Sequence, residues 1–307
     1  MIDFSKKPLF LAPLAGFSDL PLRSVVKKFG CDVTVSEMIS ANALVYEGSD
    51  KTLEMLKKSP NENPYIVQIA GSDVANIKKA VQIINKFDDI DGIDLNCGCP
   101  VPKVVRQCAG SALLNDLELL KQIIKTIKET SNKKLTSVKI RLGFNEKNHV
   151  SIAKACEDAG ADYIAIHGRT RAGGYSAQVD YDAIAQVKSS IKIPVIANGD
   201  INAQNADEIL NTTNCDALMI GRASIGKPWI FNEIKSGKSV DINLKREIIL
   251  AHFDAMIEHY GERGSNIFRK HLHQYSKGMS EATNFRNEIN RIEDTGVMRA
   301  LIESFFA

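Results

Sequence analysis

The sequence predicts a (β/α)8 TIM barrel over residues 1–238, followed by an all-α helical bundle over residues 243–307. Three observations lead there. Eight short apolar runs, each ending in Gly, Asn, Asp or a charge, recur through the first three quarters of the 307-residue chain. Segments with helical period and polar faces lie between most of them, and strands alternating with helices imply parallel pairing through right-handed crossovers. Beyond the polar stretch at 236–243, which contains Gly237, strand signals cease. Eight strand–helix units in about 235 residues match a closed barrel of roughly 250. An open doubly wound sheet is the alternative; the strand count and the placement of the distinctive residues after the strands favour the barrel.

Taken in order, the predicted strands cover residues 9–13, 33–36, 65–69, 93–95, 137–140, 163–166, 194–197 and 217–220. Amphipathic helices are expected at 73–87, 116–130, 151–159, 181–189 and 203–211. In the tail, Ile249, Phe253, Met256, Ile257 and Tyr260 fall at helical spacing, with Gly261 as the C-cap. Further helices are expected at 266–277, 282–290 and 297–306. Pro228 suits the first position of another helix.

Composition narrows the function. The chain is 44% hydrophobic with a formal net charge of +2, so any nucleic-acid surface must be a local patch. One candidate patch is the tail run of Arg263, Arg269, Lys270, His271, His273, Lys277 and Arg286, which an ordinary solvated helix face explains equally well. The six scattered cysteines read as free thiols in a reducing cytosol. No secretory signal is evident, and no apolar run approaches the roughly 20 residues of a membrane helix. A cytoplasmic monomer with no membrane partner is expected.

The most distinctive stretch is residues 92–112, where a short apolar run ends at Asn96 and Cys99 follows between Gly98 and Pro100. A lone cysteine is more often a small buried apolar group. A thiol on a Gly/Pro-punctuated loop at a strand end is instead placed for chemistry. The other strand ends supply Pro13, Leu14, Ala15, Gln68, Lys139, Arg141, His167, Arg169, Asn198, Gly199, Asp200, Gly221 and Arg222. Singly each is weak, since a buried amide or imidazole usually satisfies backbone groups. Together they form a ring of donors at one barrel mouth, suited to an anionic cofactor with a polar heterocycle. The residues from Asn198 to Asp200 and the Gly221–Arg222 pair follow strands seven and eight, the usual phosphate-binding quadrant of barrels.

Two tempting motifs fail. Residues 221–228 mimic a P-loop, but Pro228 stands where a Mg²⁺-ligating hydroxyl is needed. Cys97, Cys99 and Cys108 lack zinc-site spacing, and His271 and His273 have no acidic partner at zincin spacing, so no metal is expected.

The ordered motifs resemble those of the bacterial tRNA-dihydrouridine synthases, most closely the B-type. They include residues 12–19 (Ala-Pro-Leu-Ala-Gly-Phe-Ser-Asp), 36–38 (Ser-Glu-Met), 68–71 (Gln-Ile-Ala-Gly), 94–100 (Asp-Leu-Asn-Cys-Gly-Cys-Pro), 138–141 (Val-Lys-Ile-Arg), 167–170 (His-Gly-Arg-Thr), 198–200 (Asn-Gly-Asp) and 221–222 (Gly-Arg). In the tail, residues 269–271, 275–278 and 285–286 are similar to the family's helical tRNA-binding domain. Leu14, Ser18 and Cys97 stand where the family usually has Met, Thr and Met.

The resemblance implies FMN across the barrel mouth, with NADPH or NADH as reductant and tRNA as substrate. Pro13, Leu14 and Ala15 would line the isoalloxazine, Gln68, Lys139 and His167 would contact its polar parts, and Asn198, Gly199, Asp200, Gly221 and Arg222 would hold ribityl and phosphate. A hydride from flavin N5 would add to C6 of a D-loop uridine, and Cys99 would protonate C5. A thiol ordinarily holds its proton at neutral pH, so an acid role needs no activating base. Asn96, Arg141, Arg169, Arg269, Lys270, Lys277 and Arg286 would contact tRNA. The competing readings are an FMN barrel acting on a small pyrimidine, of dihydroorotate type, and a non-catalytic RNA-binding protein. The helical tail disfavours the first; Cys99, Lys139 and the phosphate loops disfavour the second.

Overall fold

The structure, a computed structural model, describes residues 2–307. Its elements run β1 (Leu9–Leu11), α1 (Leu20–Lys28), β2 (Val33–Val35), β3 (Ile39–Ser40), α2 (Asp50–Glu54), β4 (Tyr65–Ala70), α3 (Val74–Ile84), β5 (Gly92–Cys97), α4 (Pro102–Val105) and α5 (Leu117–Thr130). They continue through β6 (Leu135–Arg141), α6 (His149–Asp158), β7 (Tyr163–His167), α7 (Tyr181–Ser190), β8 (Val195–Asn198), α8 (Ala206–Thr213), β9 (Ala217–Ile220) and α9 (Ile230–Ser236). The tail holds α10 (Ile242–Tyr260), α11 (Arg263–Tyr275), α12 (Ala282–Ile289) and α13 (Thr295–Phe305).

All strand pairings are parallel, and the sheet closes because β1 pairs with both β9 and β2 while β2 pairs with β4. β2 and β3 are two halves of one stave. Both pair with β4, through Thr34↔Tyr65 and Ile39↔Ile69. The expected strand at 33–36 is therefore interrupted after Val35 and resumes at Ile39, three residues intervening, and the barrel has eight staves. The helices begin where the sequence offers caps. The carboxylates of Asp73, Asp116 and Asp180 accept the N–H groups of Asn76, Leu119 and Ala183 at the starts of α3, α5 and α7. Gly261 closes α10 as expected, donating to the Ile257 carbonyl. Pro228 does not open a helix: α9 begins at Ile230, and Pro228 lies in the preceding turn.

Strand periodicity divides the barrel interior into layers. Phe10, Val33, Val35, Ile66, Tyr163, Ala165, Ile196, Ala217 and Met219 form an apolar inner cluster. Phe4 closes it from below, with its ring 6.3 Å from Phe10 and 5.6 Å from Tyr163. Two residues further along the strands, on the same inward face, stand Gln68, His167 and Asn198. The second, larger apolar cluster lies between staves and helices. A third gathers α10–α13 and also includes Val25 of α1 and Trp229, so the helical region shares apolar contacts with the barrel. Gly226, at φ +74°, lets the loop after β9 touch α11: a Cβ there would sit 2.7 Å from the Gln274 carbonyl carbon.

Candidate active site

A cavity of about 730 Å3 opens at the C-terminal ends of the strands. It is lined by Pro13, Leu14, Ala15, Gln68, Asn96, Cys99, Lys139, Arg141, His167, Asn198, Gly199, Asp200, Gly221 and Arg222. Register brings them together. Asn96 pairs with Lys139, Arg141 with His167, and His167 with Asn198, which sets polar side chains across four neighbouring staves.

Cys99 is held from both sides. Its N–H donates to Asn96 Oδ1 at 2.9 Å, and its carbonyl accepts the Ser111 hydroxyl at 2.9 Å. The Gly98 carbonyl accepts Arg141 Nε at 2.7 Å. Behind the loop runs a relay. Ser137 donates to Asp94 Oδ1 (2.6 Å), Gln68 Nε2 donates to Asp94 Oδ2 (2.7 Å), and Asn96 Nδ2 donates to Gln68 Oε1 (2.7 Å). Each bond orients the next amide, so Asp94 dictates which face Asn96 turns to the Cys99 loop. Burial pushes the Asp94 carboxyl up to about 6. Cys97 is fully buried in the core, and burial pushes its thiol well above the ordinary range. Cys99 is the thiol that faces the cavity.

Cations gather on the staves that follow, from β6 onward. Lys139 Nζ donates to Asn198 Oδ1 at 2.9 Å, and Asn198 Nδ2 donates to the Met219 carbonyl at 2.8 Å. Burial, then Arg141, draws the Lys139 ammonium down to about 8. Burial and the neighbouring Lys139, Arg141 and Arg169 depress His167 to about 2, so its imidazole is neutral. Asp200 sits between the guanidinium groups of Arg169 and Arg222, and the Arg169 hydrogen bond leads in holding its carboxyl below the usual range. Gly199, at φ +127°, brings the backbone against His167; a Cβ there would lie 3.0 Å from the His167 ring.

The structure separates the expected tRNA residues. Asn96 and Arg141 are buried on the cavity wall. Arg169 does not line the cavity: it is 5% exposed and bonds the Ala177 carbonyl, His167 and Asp200, so it supports the wall from behind. In the tail, Arg269 bonds the Ile292 carbonyl and Arg286 bonds the Ser276 hydroxyl. Lys270 lies over the Phe17 ring at 5.5 Å, and Lys277 is exposed. Sequence reasoning missed Tyr175. This exposed ring at the mouth has the Arg222 guanidinium at 4.7 Å and that of Arg141 at 5.6 Å. Nothing in its turn-rich local sequence announces that position. It also missed Asp94, which two-residue spacing from Asn96 places on the same inward face.

Residues 10–306 match the family model described as Dihydrouridine synthase (Dus). A probable tRNA-dihydrouridine synthase of Helicobacter pylori strain J99 is 51% identical over 309 residues, covering 99% of this chain and 94% of that protein. The tRNA-dihydrouridine synthase B of Pasteurella multocida is 38% identical, covering 98% of this chain and 93% of that protein. Among solved structures, an old yellow enzyme homologue from Zymomonas mobilis aligns with a TM-score of 0.57 at 14% identity, over 76% of this chain and 89% of that one. That likeness shows a shared barrel fold. Among the described residues, no helix is long and apolar enough to cross a membrane.

Proposed function

The chain belongs to the dihydrouridine synthase family, and from that premise we infer that it reduces the C5–C6 double bond of a uridine in tRNA. We read the cofactor as FMN and the reductant as NADPH. The donor set fits such a group. Lys139, Arg141 and Arg222 line the cavity with Asp200 as the one ionised partner among them, an excess of cationic groups suited to an anionic ligand. A volume of about 730 Å3 falls within the range of cofactor pockets. Bound there, reduced flavin supplies the hydride that adds to C6 of the uracil.

The protein's own residues do the rest. Pro13, Leu14 and Ala15 form the apolar wall for the ring system. Lys139, steered by Asn198, offers its ammonium to the polar edge, where negative charge develops. Neutral His167 offers a hydrogen bond without adding charge. Gly199, Gly221 and Arg222 present donors for the phosphate, with Asp200 holding Arg222 in place. Cys99 stands on its clamped loop with its thiol toward the cavity and delivers the proton to C5.

Support for this reading comes above all from one juxtaposition: a cavity-facing thiol at the end of β5 beside a half-buried, amide-steered lysine on the neighbouring stave β6. Arg141 and Asn96 are reachable only from inside the cavity, so a uridine must leave its stack to meet them. Exposed Lys277 and half-buried Lys270 remain for contacts with the tRNA backbone. A tRNA substrate implies a cytoplasmic enzyme, and one chain carries the whole residue set, so a monomer suffices. The test is nucleoside mass spectrometry on unmodified tRNA incubated with purified protein and NADPH. A gain of two hydrogens at one uridine is expected and names the position. No gain from a preparation that carries flavin and oxidises NADPH rejects the tRNA reading in favour of a small-pyrimidine reductase.

A further inference from the structure

Three metal-ligating side chains meet where the loop after β1 passes beneath the helical tail. One ligand atom each from Asp19, His252 and His271 lies within 4.8 Å of the other two, and all three residues are buried. They come from three elements: Asp19 caps α1, His252 is on α10 and His271 is on α11. His252 Nδ1 shares a hydrogen bond of 2.9 Å with the Tyr275 hydroxyl, which leaves its buried Nε2 without a partner. Among the described residues, neither ring nitrogen of His271 has a hydrogen-bond partner. The imidazoles meet edge to face at 4.6 Å. The Asp19 carboxylate accepts the Tyr260 hydroxyl at 3.2 Å on Oδ2 and the Leu22 N–H at 3.2 Å on Oδ1.

Leaving buried polar nitrogens unpaired carries their full desolvation penalty. A shared cation would satisfy Nε2 of His252, one nitrogen of His271 and the open lone pairs of Asp19 together. Two imidazoles and one carboxylate are the ligands of a borderline-soft divalent ion; Mg²⁺ and Ca²⁺ take oxygen instead. The Tyr275 hydroxyl on Nδ1 is the kind of outer partner that ligating histidines regularly have, and it leaves Nε2 as the nitrogen available to an ion. Nearby charges oppose each other. Lys270, over the Phe17 ring, disfavours a cation, and Glu37, which accepts the Gly16 N–H, favours one.

We propose that Asp19, His252 and His271 bind one zinc-like divalent cation, with water in the fourth position, and that this ion pins the β1 loop to the helical tail. Zinc bonds of about 2.0–2.1 Å set ligand atoms about 3.4 Å apart, so binding draws the three side chains inward. The ion has a structural role. Phe17 packs edge-on against His271 at 5.4 Å and its other side faces the cavity, so a cation here stiffens the wall formed by Pro13, Leu14 and Ala15.

The experiment uses the untagged full chain, stripped with chelator and then dialysed against limiting zinc. One equivalent retained by elemental analysis, a raised melting temperature and a zinc-edge absorption spectrum showing imidazole and oxygen ligands without sulfur are expected. His252→Gln and Asp19→Asn should abolish retention. Tyr275→Phe keeps all three ligands and should weaken zinc affinity about 10–100-fold. Zinc that is not retained by the wild-type chain overturns the proposal. So does a sulfur-containing ligand shell, which would place the ion on the cysteines. Unchanged affinity in both His252→Gln and Tyr275→Phe overturns it as well. None of these readouts depends on tRNA reduction, so the site can fail while the proposed activity stands, and the reverse.

Discussion

A thiol on a loop is only as well placed as the loop, and at Cys99 the neighbouring backbone is tied on both sides. Asn96 holds the N–H, Ser111 holds the carbonyl, and Arg141 holds the carbonyl of Gly98. Removing the thiol should therefore leave the loop and cofactor wall intact. Cys99→Ala should oxidise NADPH at near wild-type rate while losing about 10²–10⁴-fold in tRNA reduction, measured by dihydrouridine yield per reductant consumed. Normal yield would reject the proton-donor role. Lys139 makes a pH prediction. Its folded-state value, about 8, lies below the ordinary 10.5 because burial disfavours the charge. The penalty is present at pH 7 and is relieved as pH rises from about 8 toward 10.5, so the cofactor-free protein should gain stability across that window. Affinity for an anionic cofactor should fall over the same range. Denaturant melts and flavin titrations at pH 7 and 10 check both, and Lys139→Met should show neither trend.

At the scale of the element, the strand's period of two explains why the site exists. Ile66, Tyr163 and Ile196 face inward as apolar groups at the bottom, and the same faces carry Gln68, His167 and Asn198 at the top. The barrel interior thus changes from apolar to polar along its axis without altering the backbone. Where the chain leaves β8, the requirement is backbone shape. Gly199 adopts a left-handed φ of +127° and lies against the His167 ring. Gly199→Ala should cost at least about 1 kcal/mol in stability and displace His167. The expected result is a lower melting temperature together with weaker flavin retention. Flavin affinity unchanged from wild type would show that the close approach does not shape the cofactor wall.

For the whole molecule, the barrel and the helical tail act on one another. Val25 of α1 and Trp229 pack into the cluster formed by Phe253, Phe268, Leu272 and Ile302, and the Tyr260 hydroxyl reaches Asp19 beside the cavity loop. Phe253 is 2% exposed. Phe253→Ala should cost about 3–5 kcal/mol, and calorimetry should show one transition shifted as a unit. A barrel that melts at its wild-type temperature after an earlier tail transition would show that the two regions fold independently.

How much was legible follows from where each signal is stored. Staves and major helices are local: apolar runs ending at Gly or Asn, and Asp73, Asp116 and Asp180 as caps, mark their own positions. Short helices such as α2 and α4 went unread because a single turn carries too little period. Cys99 and its fellow strand-end residues were legible because a parallel barrel gathers every strand's C-terminal end at one mouth, so order along the chain becomes proximity in space. The roles within that set were not. Gln68 and Asn198 steer Asn96 and Lys139 through bonds between staves, Arg169 turns away from the mouth to hold Asp200, and Arg269 and Arg286 bond to the tail itself. The sequence by itself determined the barrel and the set of strand-end residues, Cys99 among them, that gathers at one mouth, because these rest on local pattern plus topology. Only the tertiary structure decided which polar groups face the cavity and which serve one another, and only it brought Asp19 to His252 and His271. Such pairings depend on side-chain direction across elements distant in sequence, which no local spacing encodes.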